Sequence, residues 1–411
     1  MRAMDKSEIA QQAYQYGKKS APLFNEFCKW LVKSCQQRSI TTVYFITREG
    51  NFFQACCELL ADEGIELKLL ATSRLASYGA SIDLEEAQPF HRLWRSYPNQ
   101  SMVAFYNSLG FSAMQIHSLL TFYPEDGQQV IENIADNEKV QTYLKLPEVI
   151  SLLKRYLEEK KEKLMSYLET LGLNAMSIDV AVVDIGWRGS IQDNLARVFP
   201  TVNFHGFYLG LHKFRYSQDS NVQKRAFLFN GNSAEKDREL TALMRFVLPL
   251  EFLCSAPCGS VEGYAEGPLY HEIKEETALL VDYSQPFQRG VLEAIRSKTV
   301  NEASRHECVT IAKQIVWKPP AFLLHYYQYL THNEVFGYGE ILKSTELLTS
   351  KELISAFVSK SARKKVLGKI KNSYWPTAYL QLSLKWFSPF IMPFLPRLYL
   401  LFCLITRDSY L

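Results

Sequence analysis

Apolar positions recur at helical spacing over residues 7–37 (Ile9, Ala13, Tyr14, Leu23, Phe27, Trp30, Leu31), and Ala21-Pro22 predicts a break inside that run. Thr42-Val43-Tyr44-Phe45-Ile46 then reads as a short buried strand that stops at the polar loop 47–51. A helix from Phe52 to Glu63, with Gly64 as its stop, leads to a second strand, Leu67-Lys68-Leu69-Leu70-Ala71, and to a second polar loop, 72–74. This is a βαβ pattern, which predicts two parallel strands with a right-handed crossover. Residues 85–170 carry helical spacing and no strand signal. Pro147 suits the first turn of a helix running to Leu171, and the charge run from Lys154 to Lys163 reads as its solvated face.

Strand character returns at Ile178-Asp179-Val180-Ala181-Val182-Val183, followed by the loop 184–190, a helix from about Ile191 to Val198, and a strand over Phe204–Gly210. That is a second βαβ unit. Arg225–Phe229 predicts an edge strand, residues 237–250 a helix, and residues 305–370 helices with several breaks. The tail from Trp386 to Ile405 has the length of a membrane span, but three prolines and Arg397 interrupt it. With the basic run Arg363-Lys364-Lys365, Lys369 and Lys371 just upstream, it reads as an interfacial segment.

Composition changes this picture little. Hydrophobic residues make up 47% and charged residues 22%, as in ordinary globular chains. The net charge of +3 is unevenly placed. Residues 351–411 hold ten Lys or Arg against two acidic residues, so the rest of the chain is net negative. That pattern fits a basic tail facing an anionic surface, with no whole-chain field for nucleic acid. The eight cysteines form no CxxC…CxxC array, and no zinc site is expected. Residues Met1–Lys19 are polar without an apolar signal region, which predicts a reducing, cytoplasmic setting.

Chemistry is expected in the loops that follow the parallel strands, because open α/β sheets bind ligands beyond the carboxyl ends of their strands. Gly50, Gly186 and Gly189 permit close backbone approach, Arg48 and Arg74 supply forked cations for phosphate, and Asp184 supplies a carboxylate for sugar hydroxyls or hydrated Mg²⁺. Together the loops predict a site for a phosphorylated, diphosphate-bearing sugar. A Walker lysine loop and a GxGxxG fingerprint are both missing from the sequence.

Three segments carry a resemblance: Val43-Tyr44-Phe45-Ile46-Thr47-Arg48-Glu49-Gly50, Ala71-Thr72-Ser73-Arg74, and Val182-Val183-Asp184-Ile185-Gly186-Trp187-Arg188-Gly189-Ser190-Ile191-Gln192. Over residues 10–270 the chain resembles the glycan phosphoribosyltransferase domain of bacterial ribofuranosyltransferases, a domain often fused to a haloacid-dehalogenase-like phosphatase. The likeness extends through Gly206–Leu211 and Leu250–Pro257. It implies a divergent phosphoribosyltransferase-like parallel sheet flanked by helices. The pattern along the whole chain divides it into N-terminal helices with the first βαβ unit (1–84), a large helical insertion (85–172), a second βαβ unit with the donor loop (173–270), a helical region (271–372) and an aromatic, basic membrane-proximal tail (373–411).

The implied activity is transfer of 5-phosphoribosyl from phosphoribosyl diphosphate to a lipid-linked surface glycan at the inner membrane. The implied donor site comprises Arg48, Gly50, Asn51, Ser73, Arg74, Asp184, Gly186, Trp187, Arg188, Gly189, Ser190 and Gln192. Asp184 would meet Mg²⁺, Glu49 would join catalysis, and Glu251 would face the acceptor. Two departures stand out. The family usually has Asp where this chain has Glu49, and Val183 replaces the first acid of an ordinary donor loop. Asp184-Ile185-Gly186 does not fit an Asp-x-Asp phosphatase nucleophile, so removal of the 5-phosphate is expected from a separate phosphatase. The alternative is a non-catalytic scaffold in the same assembly pathway.

Overall fold

The structure is a computed structural model that describes residues 5–61, 64–235, 237–329, 331–333, 341–343, 347–384, 394–397 and 399–400. Five strands, β1 (Thr42–Ile46), β2 (Glu66–Leu70), β3 (Asp179–Asp184), β4 (Asn203–Leu211) and β5 (Val222–Asn230), form one parallel sheet in the order β2-β1-β3-β4-β5. The predicted edge strand is there, and it pairs parallel with β4.

Alternation along the strands explains why helices cover both faces. Val43 and Phe45 of β1, Ala181 and Val183 of β3, and Phe207 and Leu209 of β4 point into one core. Tyr44 and Ile46, Val180 and Val182, and Phe204 point into the other. A sheet apolar on both faces must be covered on both. The larger core is closed by helices Lys6–Gln36, Gly50–Glu58, Leu248–Cys254, Gln285–Arg296 and Arg305–Trp317. The smaller one is closed by helix Ser190–Val198 and the end of helix Pro147–Thr170.

The first helix differs from the sequence reading, since Lys6–Gln36 runs unbroken through Pro22. An interior proline costs about 3 kcal/mol. Leu23, Phe24 and Phe27, all fully buried just beyond it, each gain about 1.5–3 kcal/mol. Continuing the helix wins that balance. Gly17 is required by the close crossing with helix Gln285–Arg296, because a Cβ there would overlap the Phe287 carbonyl.

Residues 85–172 are helical as read, with their own core around Phe105, Tyr106, Leu119 and Tyr143. Helix Pro147–Thr170 joins that core to the sheet: Val149, Leu153 and Tyr156 pack in the insertion, whereas Leu164 and Leu168 pack under the strands. Its charge run is solvated except at Lys160. Burial lowers that ammonium's pKa to about 8.

Two antiparallel hairpins went unread. β6 (Ser260–Tyr264) with β7 (Pro268–His271) lies beside the site, and β8 (Thr331–Asn333) with β9 (Ile341–Lys343) falls within the 305–370 region, whose pattern predicts helices with several breaks. The region read as one helix over 237–250 is two, Arg238–Leu243 and Leu248–Cys254. The C-terminal helices share the large core with the N-terminal ones, so no core boundary falls at residue 271.

The tail also differs from a purely interfacial segment. Trp375 is fully buried and donates to the Val316 carbonyl (2.8 Å), and Leu395, Tyr399 and Leu400 pack against the large core. Trp386, Phe387, Pro389, Phe390, Ile391, Met392, Pro393, Phe402 and Ile405 lie outside the described residues. Among the described residues, no helix is long and apolar enough to cross a membrane.

Gln192 ties β4 and β5 to helix Ser190–Val198. Its Nε2 donates to the carbonyls of Phe204 (2.7 Å) and Gln223 (3.0 Å), while Oε1 accepts from the Tyr208 hydroxyl (2.7 Å). Gln192→Ala leaves these buried groups unpaired and should lower unfolding free energy by about 3 kcal/mol, read by urea denaturation.

Candidate active site

The strand order reverses between β1 and β3, and a cavity of about 530 Å³ opens there, beyond the carboxyl ends of β1, β2 and β3. The three loops picked out in the sequence all reach it. Arg48, Glu49, Ser73, Arg74, Asp184, Gly186, Trp187, Arg188, Ser190 and Glu251 line it. The structure thus brings ten of the predicted residues together.

Four others stand behind the wall. Gly50 starts helix Gly50–Glu58 against β1, where a Cβ would come 2.7 Å from the Phe45 carbonyl carbon. Asn51 follows it in that helix. Gly189 takes φ +66° as the cap of helix Ser190–Val198, and a Cβ there would crowd the Tyr208 hydroxyl at 2.6 Å. Gln192 is fully buried in the network above, so its expected donor contact is corrected to a structural role.

Several lining side chains already have partners. Ser73 Oγ accepts from the Ala76 N–H (3.0 Å), capping the helix that begins at Arg74, and donates to the Val261 carbonyl of β6 (2.5 Å). Its hydroxyl positions Arg74. Gly186 has φ +144°, and a Cβ there would overlap the Gly210 carbonyl. Only glycine fits where this loop crosses β4. The Thr47-Arg48 and Gly186-Trp187 peptides are cis. Trp187 walls the cavity: its ring lies parallel to Phe229 (centroids 6.0 Å apart), and its Nε1 donates to Glu251 Oε1 (2.7 Å).

Two residues that the sequence reading did not single out complete this wall. Arg48 Nη2 pairs with Glu276 Oε1 (2.7 Å) and reaches Ser255 Oγ (3.5 Å), and Ser255 donates to Glu49 Oε1 (2.7 Å). Burial works against the guanidinium charge of Arg48, but Glu276 and Glu49 more than offset it and its pKa rises. Ser255 lay inside the quoted motif; Glu276, 228 residues from Arg48, left no local signal.

Carboxylates crowd the other side. Asp184 is buried, and its Oδ1 accepts from the Ile185 N–H (2.7 Å). Burial first and the neighbouring Glu49 second push its pKa well above the usual carboxylate range, while the Ile185 N–H and Arg74 act the other way. Glu251 is raised by the same two causes in the same order, against the Trp187 hydrogen bond and Arg74.

The loop 184–190 rests on a buried ion pair. Lys224 Nζ of β5 meets Asp193 Oδ1 at 2.6 Å and donates to the Arg188 carbonyl (2.9 Å), with both side chains almost fully buried. Desolvation raises the pKa of Asp193 and lowers that of Lys224, each opposed by the partner's charge. From the insertion, buried Arg92 donates to Asn194 Oδ1 (2.8 Å) and Ser81 Oγ (2.7 Å), anchoring helix His91–Ser96 at the cavity rim.

For Mg²⁺ the donor set is small. Among the described residues no group of three or more His, Cys, Asp or Glu can hold a metal. A Mg²⁺ that arrives with substrate phosphates needs only one or two protein carboxylates. Asp184, with Oδ1 engaged and its second oxygen left over, meets that minimal requirement.

No family model matches the chain, and a search of curated proteins returns no match. The arrangement itself is suited to a small, multiply anionic ligand bearing hydroxyls: arginines and a helix N-terminus for phosphate, buried carboxylates for hydroxyls.

Lys224→Met strands Asp193 without its buried partner and should cost about 3–5 kcal/mol in chemical denaturation. The raised carboxyls give a pH dependence. Folding favours their protonated forms, so this stabilisation is full below the ordinary carboxylate pKa and is lost as pH rises through the folded values. Asp184→Asn keeps the acceptor for Ile185, so it should raise the melting temperature above the ordinary carboxylate pKa and flatten the decline with rising pH in calorimetry.

Proposed function

We propose that the protein transfers 5-phosphoribosyl from phosphoribosyl diphosphate to a hydroxyl of a lipid-linked bacterial surface glycan, on a divergent phosphoribosyltransferase-like sheet. One observation carries this reading: Arg48, Arg74 and the Asp184–Ser190 loop line a single cavity at the point where strand order reverses. The resemblance of those same three segments supplies the substrate class.

In this reading Arg74 and Arg48 hold the departing diphosphate, on which negative charge grows as the anomeric C–O bond breaks. Ser190 and the N–H groups of its helix take the 5-phosphate. Asp184 holds the ribose hydroxyls and faces the positive charge that develops on the ring. A Mg²⁺ bound with the diphosphate would neutralise part of its charge, with Asp184 as the protein carboxylate offered to it. The acceptor hydroxyl forms the new C–O bond and gives its proton to a carboxylate, Glu49 or Glu251. A raised pKa such as that of Glu251 suits a base working near neutrality. The 5-phosphate stays on the product for a separate phosphatase. The basic C-terminal segment supports a peripheral position on the inner face of the bacterial inner membrane.

A second reading, a non-catalytic scaffold in the same pathway, is favoured by the Arg48–Glu276 ion pair, which already engages one proposed phosphate ligand.

Incubation with phosphoribosyl diphosphate, Mg²⁺ and lipid-linked glycan mimics should give a phosphopentosyl product by mass spectrometry. Arg74→Ala should lower kcat about 100-fold or more, and Asp184→Ala should remove the product. Absence of both product and calorimetric donor binding would replace the transferase with the scaffold.

A further inference from the structure

The helix pair Ser350–Val358 and Lys360–Lys371 carries exposed aliphatic and basic side chains together on its outward face. On the first helix, Lys351, Ile354 and Val358 stand at i, i+3 and i+7, on one stripe. Ile354 is 67% exposed and Val358 85%. On the second, Lys360, Arg363, Lys364 and Leu367 share a stripe, and all four are exposed, as is Lys365. The inward side is spent on the protein: Val366 is buried, and Ala356 and Ile370 pack against the large core.

Charge on this pair is one-sided. Residues 350–371 contain a single acid, Glu352, and it is occupied: it caps the first helix through Thr349 and pairs with Lys369 (2.7 Å). Lys351, Lys360, Lys364 and Lys365 therefore meet no second acid within the pair.

We infer that this helical hairpin is a docking surface for an anionic lipid bilayer, with Ile354, Val358 and Leu367 entering the interface and Lys351, Lys360, Arg363, Lys364 and Lys365 meeting the headgroups. Large exposed aliphatics ringed by lysine and arginine match an interface that is apolar inside and negatively charged outside. A nucleic acid or an acidic protein would answer the charge but leave the three aliphatic tips in water, and that decides for lipid. The inference deepens the membrane part of the proposed function. It assigns the contact to a folded hairpin that begins before the basic run, and it is independent of the transfer chemistry.

The test is co-sedimentation of the full chain with phosphatidylcholine vesicles, with and without phosphatidylglycerol, in the absence of donor and acceptor. Binding is expected only to the phosphatidylglycerol vesicles and should weaken with added salt. The double variant Ile354→Ser with Val358→Ser should lower the partition coefficient about tenfold. Lys360→Glu with Lys364→Glu should lower it at least about 20-fold, each lost cation removing roughly fivefold. All these positions are exposed, and circular dichroism would verify that the variants fold. Three results would overturn the inference: no vesicle binding by the parent chain, equal binding to neutral vesicles, or variants that bind like the parent. Capture by a DNA duplex that is sensitive to the charge variant but not to the serine variant would replace it with a polyanion partner. Transfer to a water-soluble acceptor needs no vesicle, so loss of one result leaves the other standing.

Discussion

The parallel pairing of β1 with β3 is the constraint on which the rest depends. Val43, Tyr44 and Phe45 lie opposite Ala181, Val182 and Val183, so the chain leaves the sheet at Thr47 and at Ile185 side by side. These two strands are separated by more than 130 residues, most of them in the helical insertion. Their adjacency makes one cavity out of two loops. β2 on one flank and β4 on the other then add Ser73–Arg74 and the Gly210 carbonyl, against which only a glycine at position 186 fits.

The cavity's charge balance follows from how its walls are built. Arg48 lies between Glu276 and Ser255, and Ser255 also holds Glu49, so a cation and a carboxylate on adjacent residues are fixed by partners more than 200 residues away. Asp184 and Glu251 are both held protonated more strongly than usual, because burial and Glu49 disfavour their charge by more than the nearby Arg74 favours it. A site of this kind is destabilised when empty at neutral pH, and a bound cation or a hydroxyl-bearing ligand would relieve it.

Support for the loops comes from polar groups that are almost fully buried. The Asp193–Lys224 pair holds the Arg188 carbonyl, Gln192 holds the two strands beneath it, and Arg92 binds the insertion to the same helix through Asn194. Such groups are costly when half-satisfied and rigid when complete. Here Gln192 and Lys224 lie behind the cavity wall, and Arg92, Asp193 and Asn194 form part of it.

By itself the sequence determined the five strands of the main sheet, the parallel sense of its two βαβ units and the loops that end at the cavity. Those depend on short-range alternation, glycine placement and the helix that each crossover requires, all local properties. It likewise marked ten residues that the cavity gathers, because each sits at the end of a strand or in a motif of fixed spacing. Tertiary structure alone decided the rest. Pro22 was absorbed because buried phenylalanines beyond it outweigh one lost hydrogen bond. Gln192 turned inward because its helix packs it over β4 and β5, a direction that residue type does not encode. Glu276, Lys224 and Arg92 joined the site through contacts spanning tens to hundreds of residues, and pairings at that distance exist only once the chain has closed around its two cores.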